Sequence, residues 1–117
     1  MYFAITKGAD LPYFEAERMF QLRYKVGVED WGWKLPNVRD NLDIDDFDRP
    51  QTDYILVYND HDEMVACSRL NATTGPHLMS EVFPHQCEFT GVPTGENIWE
   101  LSRYICLLYT SPSPRDA

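Results

Sequence analysis

The 117-residue sequence predicts an α/β domain built on a mixed, largely antiparallel sheet with flanking helices. Three observations predict it. An amphipathic stretch follows a short opening strand, two strongly β-forming runs flank a four-residue polar turn, and another β-forming run spans 98–105. The resulting order, βα(loop)ββ(α)β, leaves the sheet unfinished after about its fourth strand. No internal repeat is visible.

Residues 2–6 form the first strand, and Asp10 with Pro12 marks a helix start. From there Ala16, Met19, Phe20, Arg23 and Val26 recur at helical spacing, so the apolar face also carries a guanidinium that needs a partner. Gly27 weakens the helix, and Trp31-Gly32-Trp33 with Pro36 marks an aromatic-rich loop. Residues 34–51 hold too few apolar side chains to pack as an element, so they wrap the body and present their acids. Thr52–Tyr58 and Met64–Leu70 are the arms of a hairpin closed by Asn59-Asp60-His61-Asp62. Asn71–Pro76 breaks the chain, His77–Phe83 makes one helical turn, 84–97 is a polar loop, and Ile98–Ile105 is the last strand.

Size allows at most one small domain. No run approaches the roughly 18 apolar residues of a membrane span, and the start lacks the basic lead of a signal peptide, so a cytoplasmic address and no membrane partner are expected. A net charge of −9 argues against nucleic acid. Basic residues nonetheless concentrate in the first third (Lys7, Arg18, Arg23, Lys25, Lys34, Arg39), where an acidic protein partner could dock. Cys67 and Cys87 lack a CxxC spacing and read as inert thiols. The segment 106–117, Cys-Leu-Leu-Tyr-Thr-Ser-Pro-Ser-Pro-Arg-Asp-Ala, matches one reading frame of a transposase-type sequencing adapter and is expected to be a non-native tail.

Metal binding is not expected. An EF-hand loop beginning at Asp43 would need glycine sixth and glutamate twelfth, where Asp48 and Tyr54 stand. His61, His77 and His85 have no ligand spacing and are assigned to the surface. Nothing local supports a Cys67–His85 nucleophile pair, and neither common glycine-rich phosphate loop is present.

The positive signal is an ordered set: Leu22-Arg23, Gly32-Trp33, Asp43-x-Asp45-x-x-Asp48, Thr52-x-Tyr54, Ser68-Arg69-Leu70, Thr74-Gly75-Pro76, Val82-Phe83-Pro84 and Trp99-Glu100-Leu101-Ser102-Arg103. In this order and spacing it resembles the N-terminal half of the LuxI-type acyl-homoserine-lactone synthases, with residues 1–105 as the N-terminal part of an autoinducer synthase domain. The resemblance implies a fold like that of the GCN5-related N-acyltransferases. It also implies quorum-sensing signal synthesis from S-adenosylmethionine, as substrate rather than cofactor, and an acyl chain on acyl carrier protein. Other readings kept open are an N-acyltransferase of the same fold using acyl-CoA and a non-catalytic S-adenosylmethionine-binding protein.

These residue types suit that chemistry. A sulfonium cation is matched by carboxylates and aromatic faces, and a substrate carboxylate by arginine. Asp45, Asp48 and Trp33, with Arg23, Arg69 and Arg103, supply both kinds, and Phe83 is carried with them as a substrate-binding or site-ordering residue. Glu100 is the candidate base that takes a proton from the attacking amine. Backbone N–H groups of the last strand would form the oxyanion hole by analogy with the fold. Because such ion pairs also order loops, Arg23 and Asp48 stay divided between architecture and binding. Trp31, Phe47, Phe83 and Trp99 are assigned to the core in the first instance.

Two departures stand out. Gly27 occupies a position usually phenylalanine in the family, which is expected to remove an aromatic wall. Glu100 and Arg103, three apart on a strand, fall on opposite faces by strict alternation, so either a bulge turns one of them or they serve different roles. With its sheet ending on an unpaired strand, the 117-residue chain alone is expected to be inactive and poorly stable.

Overall fold

A computed structural model describes residues 1–34, 41–81 and 91–107. Four strands form one sheet in the order β1-β2-β3-β4, with all three pairings antiparallel. β1 is Tyr2–Lys7, β2 Asp53–Tyr58, β3 Met64–Ala72 and β4 Trp99–Cys106. Helix α1, Tyr13–Arg23, crosses between β1 and β2 in sequence and packs over β3 and β4. It continues into a π-helical turn at Tyr24–Asp30, so Gly27 widens the helix rather than ending it. The short α2, Leu78–Glu81, falls within the expected helical turn. Each strand lies within one or two residues of its expected bounds.

Alternation explains the packing. Tyr54, Leu56 and Tyr58 point under α1, where Met19, Leu22 and Val26 meet them with Cys67 and Ile105. β3 is central and buried on both faces from Met64 to Arg69, which is why it reads as a nearly continuous apolar run before its polar end. Away from α1, Phe3, Ile5, Trp99 and Leu101 are exposed among the described residues.

The sheet loses its regular register at one place that matters for the site. Cys67 faces Ile105 but Arg69 faces Ser102, so three β4 positions span two on β3. Arg103 sits in this bulge with φ 51°. The bulge anticipated between Glu100 and Arg103 is therefore present, and it turns Arg103 toward the α1 side, where Ser102 and Glu100 already point by their pairing with Arg69 and Asn71.

The acidic segment is tied down from both sides. Gly8 and Ala9 donate backbone bonds to Thr52 and Pro50 at 2.7 and 2.8 Å. Buried Thr52 donates to Asn71 Oδ1 at 2.7 Å, and Asn71 Nδ2 donates to the Phe47 carbonyl at 3.1 Å. These contacts explain how a stretch too polar to pack as an element is held at a defined place.

Three expectations are corrected. Trp31 and Trp99 are 36% and 46% exposed rather than core. His77 is buried, not on the surface: its ring Nδ1 lies 2.9 Å from the Gly75 carbonyl and its backbone N–H donates to Ser80 Oγ at 3.0 Å, so local polar partners offset its burial. Arg23 is not a surface charge available to a partner, being 1% exposed. The expectations for Pro36, Arg39, Phe83, His85, Cys87 and 108–117 lie outside the described residues.

Candidate functional site

Three arginines arrive from three elements. α1 supplies Arg23, β3 Arg69 and the β4 bulge Arg103; the loop before β2 supplies Asp43, Asp45 and Asp48. The six close into a ring in which every carboxylate bridges two guanidiniums. Asp48 takes Arg23 in a two-toothed pair at 2.7 and 3.0 Å, and Arg69 at 3.2 Å. Asp45 takes Arg69 at 2.6 Å and Arg103 at 3.0 Å. Asp43 takes Arg103 at 2.7 Å and Arg23 at 3.2 Å, which closes the circuit. Three positive and three negative charges cancel, so the ring can be buried where any one member could not.

Neighbours complete the ring. Tyr54 donates its hydroxyl to Asp48 at 2.7 Å, and Arg69 Nε donates to Ser102 Oγ at 2.9 Å. The loop braces itself as well: the Asp45 amide donates to Asp48 at 3.0 Å and the Phe47 amide to Asp45 at 2.8 Å.

The ionisation states follow from this setting. Burial alone would raise Asp48, but the Arg23 and Arg69 charges and their hydrogen bonds outweigh it and hold the carboxyl well below its ordinary range. Burial would likewise lower Arg23, yet Asp48 and Asp43 hold it above its usual value. Burial and then the Asp48 charge push the Tyr54 hydroxyl upward, keeping it a donor. Burial also lifts the Cys67 thiol to about 12, consistent with an inert side chain.

One guanidinium nitrogen in the ring lacks a partner: Arg69 Nη2 is buried and makes no hydrogen bond among the described residues. Trp33 stands at the edge of the ring, with the Arg103 guanidinium 5.9 Å from its ring centroid and Trp31 edge-on at 5.5 Å. The expected gap at Gly27 does not exist. A Cβ on Gly27 would come 2.5 Å from Trp33 Cε3, so the indole already fills that space.

Glu100 is on the same sheet face, two residues along β4 from Ser102, or about 7 Å by strand rise. Both its oxygens accept backbone hydrogen bonds, from Leu78 at 2.9 Å and Met79 at 2.8 Å. It therefore clasps α2 to β4 and stands outside the charge ring. Beside it His77, Met79, Ile98 and Glu100 line a cavity of about 260 Å³ with a mostly apolar wall. Among the described residues no His, Cys, Asp and Glu group could hold a metal ion, and no helix is long and apolar enough to cross a membrane.

The structure thus unites Arg23, Asp45, Asp48, Arg69, Arg103 and Trp33, and sets Glu100 apart from the ring. Asp43, Tyr54 and Ser102 are ring members or direct partners to which sequence reasoning assigned no role. The signal was present for Asp43, since Asp43-x-Asp45 in an extended chain points both carboxylates the same way.

The family model described as autoinducer synthase matches residues 11–108. The acyl-homoserine-lactone synthase of Acinetobacter nosocomialis is 38% identical over 90 residues, covering 77% of this chain and 49% of that protein. Among solved structures, TofI in a ternary complex with an inhibitor and MTA superposes with a TM-score of 0.81 at 36% identity, covering 91% of this chain and 57% of TofI. The CoA-dependent acyl-homoserine lactone synthase BjaI, with SAM and isopentyl-CoA, gives 0.79 at 33%, covering 88% and 49%. The chain spans about half the length of the curated relatives it matches. The family match covers most of the sequence: this chain belongs to the autoinducer synthase family.

Proposed function

We propose that this chain is the S-adenosylmethionine-recognising portion of an acyl-homoserine-lactone synthase that makes a quorum-sensing signal. The observation that carries this reading is the closed acid–arginine ring with one buried, unpartnered nitrogen, Arg69 Nη2. An acceptor from outside the chain, a water or the substrate's α-carboxylate, would satisfy that nitrogen. Trp33 offers an aromatic face to the sulfonium cation.

In the first step the substrate amine attacks the thioester carbonyl, the amine loses a proton, and the thiol leaves as the amide forms. Glu100 is the base in this reading. Each of its oxygens accepts one hydrogen bond from an α2 amide and keeps another lone pair for a proton. In the second step a carboxylate oxygen attacks the γ carbon, and its bond to sulfur breaks to release methylthioadenosine. That step depends mainly on positioning.

The acyl donor is a thioester, and acyl carrier protein is the proposed carrier. BjaI supports acyl-CoA as the competing donor. Residues 1–105 are proposed to be the N-terminal part of an autoinducer synthase domain and 106–117 an appended tail. The test is to supply a full-length protein containing this sequence with S-adenosylmethionine and either acyl-acyl carrier protein or acyl-CoA, following methylthioadenosine and lactone by mass spectrometry. Lactone from either donor supports the synthase and identifies the carrier. S-adenosylmethionine binding without methylthioadenosine release from either donor would replace the synthase with a binding protein.

A further inference from the structure

The cavity beside Glu100 has few polar groups, and most of them are already committed. Thr73 Oγ1 donates to the Ile98 carbonyl at 2.6 Å and accepts from the Gly95 amide at 3.1 Å. The Leu78 and Met79 amides are taken by Glu100, and the Ile98 amide by the Gly95 carbonyl at 3.1 Å. Trp99 also lines the cavity, but it is 46% exposed and alternates to the opposite side of β4 from Glu100. Among the described residues the remaining polar side chain on the wall is His77, which is 1% exposed.

The imidazole of His77 is bonded through one nitrogen. Nδ1 lies 2.9 Å from the Gly75 carbonyl, which can only accept, so Nδ1 carries the hydrogen. Ser80 Oγ stands 3.4 Å from the same nitrogen but directs its own proton to the His77 carbonyl at 2.9 Å, so it does not reverse that tautomer. The His77 amide donates to Ser80 Oγ at 3.0 Å and the His77 carbonyl accepts from the Glu81 amide at 2.9 Å, which anchors the residue on the turn into α2. With Nδ1 as the donor, the neutral ring has a lone pair at Nε2, and no described residue donates to it.

We infer that His77 is a specificity-determining residue: its Nε2 accepts a hydrogen bond from a hydroxyl near the thioester end of the acyl chain. The inference rests on the proposed acylation, in which Glu100 takes the amine proton and the acyl carbonyl must lie against the cavity that Glu100 and His77 share. Inward of Trp99 the uncommitted side-chain groups of the described wall, Nε2 and the spare lone pairs of Glu100, are all acceptors. A hydroxyl on the third acyl carbon can donate to Nε2. A keto oxygen at that carbon finds no donor, and an unsubstituted chain leaves Nε2 unpaired.

Two measurements test it. In the 117-residue chain with isotope-labelled histidine, nitrogen NMR is expected to show a protonated Nδ1 and a bare Nε2 at His77. The Nε2 resonance should move upfield on adding the 3-hydroxybutyryl thioester of N-acetylcysteamine and stay in place with the butyryl thioester. In a full-length protein containing this sequence, 3-hydroxyacyl, 3-oxoacyl and unsubstituted donors of one chain length on one carrier are compared by kcat/KM. The hydroxylated donor is expected to be favoured roughly tenfold over the other two, the scale of one hydrogen bond. His77→Asn keeps a side-chain N–H for the Gly75 carbonyl and removes the Nε2 acceptor, so the preference should vanish. A merely structural histidine would change stability and leave the preference where it was. A protonated Nε2, no Nε2 shift with the hydroxylated thioester, equal use of the three donors, or a preference that survives His77→Asn each overturns the inference. If His77→Asn does not fold, the donor preference of the parent protein and the Nε2 shift decide. Absence of lactone from every donor counts against the synthase reading, whereas the Nε2 response judges the acceptor without turnover.

Discussion

Two ends of one sheet face use carboxylates to join neighbouring elements, and they do so with different redundancy. At the β3–β4 bulge, three aspartates and three arginines from α1, β3 and β4 form a circuit in which each member has two charged partners. Three residues before Arg103 on β4, Glu100 alone clasps α2 through two backbone amides. The ring is a scaffold that resists small motions because no member can leave without costing two others one of their charged partners. The clasp can open by breaking two hydrogen bonds. A site that must fix a charged substrate and also deliver a mobile proton acceptor has use for both.

Breaking the ring gives the largest expected effect. Asp48→Ala removes the two-toothed partner of Arg23 and one of the two acids on Arg69, leaving guanidiniums that are 1% and 0% exposed short of charge. Loss of about 3–5 kcal/mol is expected, measured by urea unfolding of the folded chain. A loss under about 1 kcal/mol, as for a surface pair, would mean that the circuit is not acting as a unit.

The ring also makes a pH prediction. The folded-state value of Asp48 lies below its ordinary 3.8, so its contribution is present above that value and disappears as pH falls through the depressed one. Tyr54 is raised above its ordinary 10.0, so its contribution is present below pH 10 and is lost as pH rises through the raised value. Stability should be flat between about pH 5 and 9 and should fall on both sides, with Asp48→Asn flattening much of the acid limb. An acid limb unchanged by that substitution would assign it to other carboxylates.

Tyr54→Phe probes the ring more gently. It deletes the 2.7 Å hydroxyl bond to Asp48 while keeping the aromatic core contact, and a loss of about 1.5 kcal/mol is expected in the same unfolding assay. Combined with Asp48→Ala it should add little further loss, since the acceptor is already gone; full additivity would show that the two act independently.

The same contrast governs what could be read from sequence. Helical spacing put Arg23 on the apolar face, and the strand pattern put Arg69 and Arg103 on β-forming runs, so most of the ring and all four strands were legible. Their periodicities are local. The π turn was not, because Gly27 reads as a helix breaker and the return of Trp33 onto its backbone depends on tertiary contact. His77 and the exposed Trp31 and Trp99 were misplaced for a related reason: composition prices a side chain on average, whereas burial depends on partners such as the Gly75 carbonyl. Glu100 stood out through the Trp99-Glu100-Leu101-Ser102-Arg103 motif of the family resemblance, but its amides come from 21 and 22 residues away, beyond any local pattern.

The clasp yields the smallest expected effect on stability and the most direct one on mechanism. Glu100→Gln retains a single carbonyl acceptor where the carboxylate offered two, so one of the Leu78 and Met79 amides must lose its bond. A cost of about 1 kcal/mol is expected, with faster hydrogen exchange confined to residues 78–81 and no change at Arg23 or Asp48. In a full-length protein the same substitution should reduce acylation while S-adenosylmethionine affinity stays near its original value, because the ring is untouched. Weakened S-adenosylmethionine binding with an intact acylation rate would reverse the assignment of roles, placing Glu100 with the substrate-holding scaffold and leaving the proton acceptor to be sought on another residue.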